Sequence, residues 1–447
     1  MIDAEQDESK RLRLAVYTLL IATCLAITAG RIGAVAARDG RTPFLSANDR
    51  SRWCTVRSLV EYGSYEIDSV IGDRGWNTID KVQHLGKDGE PHFYSSKPPL
   101  LATLVAGPYW IVHRITGTTL REHPFYVGRA LLWMVQLPLL AFYLICVVQL
   151  VERWGETDWG RIFVATVVCF GTFLTTMAVT LNNHLPAALA VAVALCGLVR
   201  ITSVHKESIW AFPVIGFFSA LAAANDLPAL SFFAVSLLMC AIKSWRWTLL
   251  LFSPAALLVV AGFFGTNWLA HADWRPPYAH RSDGDNWYDY ENSYWHEENR
   301  KGVDRGEPSR RIYALHATVG HHGVLSLTPV WLLSAVGVFV LLGSPGRKQV
   351  GWLILVLSCV CMMFYLTRSV GDRNYGGVCC GFRWMFWLAP LWLAAMIPVA
   401  DWISERCFAR YVAILLFVLS SASAAYGWSN PWTHPWPYAY GLFMQWW

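Results

Sequence analysis

The most informative shortage in this sequence is a shortage of charge. Only 15% of its 447 residues are Asp, Glu, Lys or Arg, whereas a soluble domain carries about 25%. Because 55% of the residues are hydrophobic, the polar residues are too few to cover a soluble domain of this length. The shortage excludes an ordinary soluble enzyme and favours a protein that lies in a membrane.

Two further patterns are missing. The formal net charge of +5 is spread over many loops, so no basic patch for nucleic acid forms and we expect no nucleic-acid partner. Most of the eleven cysteines lie in apolar runs, where cysteine acts as a small hydrophobic residue. A bridge from Cys54 to Cys379 or Cys380 stays open, because connectivity cannot be read from sequence.

Long apolar runs recur along the whole chain. A run of about 18 residues or more can cross a hydrocarbon core of about 30 Å, and in lipid such a run must be helical to satisfy its own backbone. The sequence therefore predicts an all-α polytopic membrane protein, with one domain over residues 1–447. The predicted spans, about eleven, lie near residues 14–32, 126–151, 161–181, 185–203, 208–224, 227–243, 247–267, 325–343, 350–367, 384–400 and 410–427.

The apolar run at residues 98–115 decides the topology. Two prolines open it, Pro108 interrupts it, and His113 and Arg114 close it, a pattern that favours an interfacial helix over a span. If it does not span, the basic residues of the short loops collect on one side, which is then the cytoplasmic side. Those residues are Arg153, Arg161, Arg200, Lys206, Lys243, Arg246, Arg347, Lys348, Arg406 and Arg410.

This topology predicts a cytoplasmic N-terminus. It puts outside the cytoplasm a first loop (residues 33–125) with interfacial helices, a second loop (268–324) and an aromatic C-terminal tail (428–447). One segment counts against it, because residues 368–383, here named the glycine loop, are basic on the outer side.

The first loop contains a polar segment at residues 46–99 with an acid near its start and a base at its end. Asp49 begins the motif DRSRW, and Tyr94 begins the motif YSSKPPL, which contains Lys97. Asn48 or Asp49 can cap a helix, and a carboxylate at a membrane surface can also accept a proton from a hydroxyl. Lys97 can be a lysine whose amine reaches the interface from its helix.

These two motifs together resemble those of the GT-C class of membrane glycosyltransferases, in the branch of the protein O-mannosyltransferases and the bacterial aminoarabinose transferase of lipid A. The resemblance implies a sugar donor on a polyprenyl phosphate, Asp49 as the catalytic general base, and Lys97 in contact with the donor phosphate. A fixed cation stabilises the negative charge that a leaving phosphate gains. The match covers roughly the first quarter of the chain.

The sequence departs from this family in the next external turn, where family members often carry a second acid. Here Asn182, Asn183 and His184 precede Leu185 and Pro186. Amide and imidazole groups can bind a sugar but are poorer ligands for a hard metal ion than carboxylates are. Whether the protein binds a divalent metal therefore stays open, and we assign no metal ligand. Alternatively, the turn caps a helix with Pro186 near its start.

The remaining candidate residues come from the glycine loop and the second loop. Arginine forks suit phosphate, and glycines allow close backbone approach, so we assign Arg383 to the donor phosphate; an anchor for lipid headgroups is the alternative. His316, His321 and His322 form no paired face, which disfavours zinc. The candidates for sugar or acceptor binding are Arg52, Tyr94, Asn183, His184, His322 and Arg373.

The sequence thus predicts a membrane glycosyltransferase that moves a sugar from a polyprenyl-phosphate donor to a lipid, glycan or protein hydroxyl. We expect it in a bacterial inner (plasma) membrane, with the active site and C-terminus outside the cytoplasm. The alternatives are a lipid or polysaccharide transporter, which would need ionisable groups near the bilayer midplane, and a non-catalytic membrane assembly factor, which would tolerate Asp49→Asn.

Overall fold

The structure is a computed structural model that describes residues 2–203, 208–282 and 284–446. Lys206, which the topology prediction used, and Trp447, the end of the predicted external tail, lie outside the described residues. Across the described ranges the chain is almost entirely helical, with only two short antiparallel hairpins.

The elements follow one another in a long helical series. The helices are α1 (Ile2–Ala34), α2 (Ala47–Glu61), α3 (Asp68–Ile71), α4 (Pro99–Thr116), α5 (Pro124–Trp154), α6 (Asp158–Phe170), α7 (Phe173–Met177), α8 (His184–Ser203), α9 (Ala211–Asn225), α10 (Leu230–Lys243), α11 (Trp245–Trp247), α12 (Ser253–His271), α13 (Arg310–Thr318), α14 (Val324–Leu327), α15 (Trp331–Leu342), α16 (Lys348–Leu366), α17 (Ala389–Ser404), α18 (Cys407–Tyr426) and α19 (Trp436–Phe443). The strands are β1 (Lys81–Leu85), β2 (Pro91–Ser95), β3 (Arg281–Ser282) and β4 (Asp285–Asn286).

Helices long and apolar enough to cross a membrane make up most of this series. Within the described residues there are eight: Asp7–Ala34, Pro124–Trp154, Asp158–Met177, His184–Thr202, Trp245–His271, Lys348–Leu366, Arg383–Ser404 and Cys407–Tyr426. Three shorter apolar helices, Ala211–Asn225, Leu227–Lys243 and Trp331–Leu342, occupy the other predicted positions. The prediction of an all-α polytopic membrane protein is confirmed. Helix α4 is not among the eight, and its interfacial position stays a prediction.

Two predicted spans differ from the observed helices. The span at 161–181 is interrupted, because α6 ends before Gly171 and Thr172 takes an extended backbone before α7 begins. The span at 325–343 is shorter, since α15 begins only at Trp331. Pro329 disfavours helical backbone at the preceding residue, Thr328, whose φ and ψ are −131° and 67°.

Helices α2 and α4 of the first loop pack on a small core that is completed by Ile32 of α1, Leu131 of α5 and Leu181, while the β1–β2 hairpin packs on Tyr288 of the second loop. Helix α2 is capped by Ser46, whose hydroxyl accepts a hydrogen bond from the backbone N–H of Asp49, so neither Asn48 nor Asp49 is the cap. Strand β2 leads directly into α4, which begins with Pro99. This connection places Lys97 at the start of α4.

Cysteine plays no cross-linking role in this fold. All eleven cysteines are free, including Cys54, whose thiol donates to the carbonyl of Trp76. Cys379 and Cys380 pack in a different hydrophobic cluster, with Phe173 and Trp432. The bridge from Cys54 that the sequence left open is therefore absent.

Candidate functional site

A polar cavity of about 440 Å³ forms where four distant parts of the chain meet. The first loop, the second loop, the glycine loop and the C-terminal tail each supply part of its wall. Its charged lining residues are Arg38, Asp80, Lys97, Arg281, Arg300, Asp304, Asp372 and Arg383, and its aromatic ones are Tyr288, Trp295, Trp384 and Trp432. Cations and aromatic faces in one cavity suit a substrate that carries both phosphate and sugar.

Lys97 and Arg383, both predicted to hold the donor phosphate, line this same cavity. The Lys97 amine lies 3.2 Å from the carboxylate of Asp80. Burial lowers the pKa of Lys97 to about 8; the charge of Asp80 opposes this effect, and the charges of Arg52 and Arg383 add to it. Arg383 donates to the carbonyl of Gly376 and has its guanidinium 5.2 Å from the ring centre of Trp432.

Asp49 lies directly behind the cavity wall. It is 1% exposed, and its two carboxylate oxygens accept hydrogen bonds from the backbone N–H groups of Leu45 and Leu181, each at 3.1 Å. Leu45 and Asn48 line the cavity, and Asp49 itself does not. Burial raises the pKa of Asp49 to about 7, against these hydrogen bonds and the nearby arginines. A carboxylate that titrates near neutral pH has the proton affinity expected of a general base.

A hydrogen-bonded chain connects three more predicted residues with Arg383. Arg52 donates to the side-chain oxygen of Asn183 at 2.7 Å, and Asn183 donates to Asp226 at 3.0 Å. His184 Nδ1 lies 2.9 Å from the other oxygen of Asp226. This bond places the proton on Nδ1, so that Nε2, 3.4 Å from Arg383 Nη1, is the acceptor there. The chain joins the DRSRW motif to the glycine loop behind the cavity wall.

The turn before α8 also caps that helix, which is the alternative role that the sequence left open. The side-chain oxygen of Asn182 accepts from the N–H groups of His184 and Leu185, which caps α8. Asp226, in the turn between α9 and α10, makes no side-chain cap bond and instead accepts from Asn183 and His184.

None of the six residues predicted to bind sugar or acceptor lines the cavity. Arg52, Asn183 and His184 belong to the hydrogen-bonded chain behind its wall, and the other three make contacts elsewhere. The hydroxyl of Tyr94 lies 3.4 Å from Glu66, and its ring stacks on His84 at 4.1 Å. Arg373 is buried and donates to the carbonyl of Pro308 at 2.8 Å. His322 is buried and stacks on Tyr375 at 4.7 Å. Their roles in binding stay predictions.

Two acids in the cavity wall were missed by the sequence reasoning. Asp80 precedes β1, and the pairing of Lys81 with Ser95 brings it beside Lys97; recognition of this hairpin in the sequence would have indicated the contact. Asp304 accepts from the Tyr294 hydroxyl at 3.0 Å and from Asn374 at 3.3 Å. Burial raises its pKa, and the charge of Asp80 adds to this. No sequence signal singles out Asp304 among the acids of the second loop.

The carboxylates near the cavity do not fit a divalent metal ion. Asp80 pairs with Lys97, Asp49 accepts two backbone N–H groups, and Asp226 is held by Asn183 and His184. Among residues 2–203, 208–282 and 284–446, no group of three or more His, Cys, Asp or Glu side chains is arranged to hold a metal. We derive no step through a metal.

Solved structures resemble this chain in fold, although no protein-family model and no curated protein matches the sequence. The crystal structure of ArnT from Cupriavidus metallidurans in the apo state matches 92% of this chain and 75% of that chain, with a TM-score of 0.50 and 10% identity. The chain has the GT-C fold. At this identity the likeness shows the fold alone.

The oligosaccharyltransferase AglB from Archaeoglobus fulgidus also matches. The match to its complex with an inhibitory peptide and a dolichol-phosphate covers 95% of this chain and 56% of the AglB chain, with a TM-score of 0.48 and 11% identity. The match to its apo form covers 93% of this chain and 56% of the AglB chain, with a TM-score of 0.47 and 13% identity. This GT-C-fold chain therefore spans little more than half the length of AglB.

Proposed function

We propose that this GT-C-fold protein is a membrane glycosyltransferase that transfers a sugar from a polyprenyl phosphate to a hydroxyl of a lipid, glycan or protein. The observation that carries the proposal is the meeting of Lys97 and Arg383 in one cavity. They come from distant parts of the sequence, yet the sequence independently assigned each of them to the donor phosphate. The fold, shared with ArnT, is a second support.

The bound ligands of AglB agree with the proposed substrates. That protein was solved with a dolichol-phosphate and a peptide, which are a lipid-linked phosphate and a polypeptide. A phosphate between Lys97 and Arg383 would receive charge-assisted hydrogen bonds, which are shorter and stronger than those between neutral groups. The aromatic rings of Tyr288, Trp295 and Trp384 line the same cavity and offer faces for a sugar.

An apolar groove offers a place for the polyprenyl chain. It has a volume of about 240 Å³ and is lined by residues of α15 and α16, including Val338, Phe339 and Leu355. Its other wall contains Met385, two residues from Arg383. The lipid chain would therefore lie in an apolar environment while its phosphate reaches the cationic side of the cavity.

In the proposed reaction Asp49 accepts the proton of the acceptor hydroxyl. The acceptor oxygen then attacks the anomeric carbon of the sugar, and the bond from that carbon to the phosphate oxygen breaks. Lys97 and Arg383 stabilise the charge on the leaving phosphate. Because Asp49 lies behind Leu45 and Asn48, this role requires the segment before α2 to move and turn one carboxylate oxygen towards the cavity.

Substitution of Asp49 tests the proposal. Asparagine has the size of aspartate and keeps part of its hydrogen bonding to Leu45 and Leu181, but it cannot take up the proton of the acceptor hydroxyl. Loss of a general base typically lowers the rate by a factor of about 10²–10⁴. Mass spectrometry compares the glycolipids, glycans and glycoproteins of three kinds of cells: cells with the wild-type protein, cells with the Asp49→Asn variant and cells without the protein. We expect Asp49→Asn to match the cells without the protein.

The control for this experiment is Asp39→Asn, which removes an exposed carboxylate from the same loop and should leave the products unchanged. Once the sugar product is known, the rate of transfer by the wild type should rise with pH through about 7, as Asp49 loses its proton. A folded Asp49→Asn protein that still makes the product at nearly the wild-type rate would contradict the catalytic assignment.

A further inference from the structure

The C-terminal tail is a 20-residue segment without a single charged side chain. No Asp, Glu, Lys or Arg follows Arg410 in the sequence. In place of charges the tail contains aromatic residues, among them Trp428, Trp432, Trp436 and Tyr440. A segment of this composition is poorly suited to bulk water, whereas Trp and Tyr concentrate where a bilayer meets water.

The depth of the tail is set by a hydrogen bond to a membrane-spanning helix. The indole N–H of Trp436, the first residue of α19, donates to the hydroxyl of Ser423 at 3.0 Å. Ser423 lies three residues before Tyr426, the last residue of α18, which is about 4.5 Å along a helix with a rise of about 1.5 Å per residue. The indole of Trp436 therefore reaches the last turn of α18, and α19 begins within the length of one tryptophan side chain from it.

Helix α19 has two different faces. One face carries Trp436, Tyr440 and Phe443, which recur at helical spacing and are 45%, 51% and 80% exposed. On the other face Gly441 is buried and Tyr438 stacks on His434 at 4.3 Å. The exposed face is uncharged and aromatic, and two further aromatic residues near the end of α18, Tyr426 and Trp428, are also exposed.

We propose that α19 lies flat in the interfacial layer of the bilayer, with Trp436, Tyr440 and Phe443 between the lipid headgroups and the acyl chains. Three observations select lipid over a second copy of the chain or a soluble partner: the contact of Trp436 with Ser423 in the last turn of α18, the absence of charged side chains after Arg410, and the exposed aromatic residues near the end of α18. The proposal does not depend on the proposed function.

This position has a consequence for the cavity. The same tail supplies Asn430 and Trp432 to the cavity wall, and the carbonyl of Pro431 accepts a hydrogen bond from the N–H of Cys380. Trp432 in turn lies beside the guanidinium of Arg383. Helix α19 thus anchors one wall of the cavity at the membrane surface.

Photocrosslinking tests the proposal without the identity of any substrate. The full-length protein, with benzoylphenylalanine in place of Tyr440 or Phe443, is reconstituted in vesicles of phosphatidylethanolamine and phosphatidylglycerol. After irradiation, adducts are identified by mass spectrometry. We expect lipid adducts at both positions, with yields within about threefold of that at Leu415, an exposed residue in the middle of α18.

Two further positions serve as controls. Tyr438 faces the protein, and Leu85 is exposed at the end of β1, so neither should give a lipid adduct. Covalent dimers from position 440 or 443 would show a second copy on this face, and the absence of any adduct there would show a face open to water. Either result would overturn the proposal.

A double variant tests whether the aromatic face holds α19 in the interfacial layer. Tyr440→Ser/Phe443→Ser keeps the hydrogen bond between Trp436 and Ser423 available but removes most of the apolar face. With benzoylphenylalanine at Met444, which is exposed and follows Tyr440 by one helical turn, the yield of lipid adduct should fall at least fivefold relative to the otherwise unsubstituted chain. An unchanged yield, with the variant folded by thermal unfolding, would contradict interfacial binding through the aromatic face.

Discussion

At the scale of single residues, the contact between Lys97 and Asp80 decides how the cavity can bind phosphate. The amine is already paired across 3.2 Å, so an incoming phosphate shares Lys97 with a carboxylate and also meets that carboxylate's negative charge. Arg383, held by the carbonyl of Gly376 and by the Trp432 ring, has no such competing acid among the described residues. The two cations are therefore not equivalent.

We expect Lys97→Ala to weaken binding of undecaprenyl phosphate at least about tenfold. A charge-assisted hydrogen bond contributes roughly 1.5–3 kcal/mol, and about 1.36 kcal/mol corresponds to a factor of ten. Removal of the amine also leaves Asp80 unpaired beside the phosphate. Isothermal titration calorimetry of the detergent-solubilised protein measures the affinity.

The matched control for this prediction is Lys81→Ala, a lysine of the same hairpin whose amine lies over the ring of Phe93. Its affinity for undecaprenyl phosphate should stay within about twofold of wild type. Equal affinities of Lys97→Ala and wild type would show that Lys97 does not contact the phosphate. The affinity of the wild type should also fall above about pH 8, where Lys97 loses its proton.

At the scale of elements, a cluster of packed histidines connects the C-terminal tail with the second loop. This histidine cluster consists of His316, His321, His322 and His434. Tyr375 of the glycine loop and Tyr438 of α19 pack against it. The charged neighbours are Glu307, which raises the pKa of His316, and Arg38, which lowers that of His434. Burial nevertheless lowers the pKa of all four, that of His321 to about 3.

We therefore expect the histidine cluster to contribute less to the stability of the protein as the pH falls below about 6.5, the pKa of a histidine in an unfolded chain. Above that pH neither state binds these protons, so the packing of the cluster contributes fully. Below it the unfolded state takes up more protons than the folded state, and each such histidine costs up to about 1.4 kcal/mol per pH unit.

Thermal unfolding between pH 7.5 and 5 measures this loss. The His321→Phe/His322→Phe variant keeps aromatic packing but cannot be protonated, so its melting temperature should fall less over that range than the wild type's. His123→Phe, a change outside the cluster, serves as the control. Parallel pH dependences of the wild type and the double variant would show that the cluster does not titrate on unfolding.

At the scale of the whole molecule, the number of membrane crossings decides on which side of the membrane each loop lies. Within the described residues, eight long helices and three shorter ones occupy the eleven predicted positions, and α4 is not one of the eight. If each of the eleven crosses once and α4 does not cross, the two termini lie on opposite sides. With the cytoplasmic N-terminus that the basic loops predict, the cavity lies outside the cytoplasm, together with the first and second loops.

A cysteine added at the C-terminus tests this topology. The exposed native cysteines, Cys359 and Cys407, are first replaced by serine. In intact spheroplasts we expect an impermeant maleimide to label the added cysteine as fully as it does after permeabilisation. A second protein with the cysteine at the N-terminus should be labelled only after permeabilisation. Protection of the C-terminal cysteine in intact spheroplasts would overturn the predicted topology.

The sequence by itself determined the fold class and the approximate helix positions, because lipid leaves an apolar run of about 18 residues no alternative to a helix. It also pointed to Lys97, whose motif is local, and to Arg383, whose loop is rich in arginine and glycine. Helix ends were less predictable: the cap of α2 is Ser46 rather than Asn48 or Asp49, and the break at Gly171 interrupts one apolar run.

Only the tertiary structure decided which polar residues face the cavity. Asp80 meets Lys97 through a strand pairing, and Asp304 reaches the same cavity from the second loop. Asp49 lies behind the wall because the backbone of Leu181, far along the chain, donates to its carboxylate. Hydropathy and local motifs give no information on such contacts, since they depend on how helices distant in sequence pack and on which side chain each packed surface then buries.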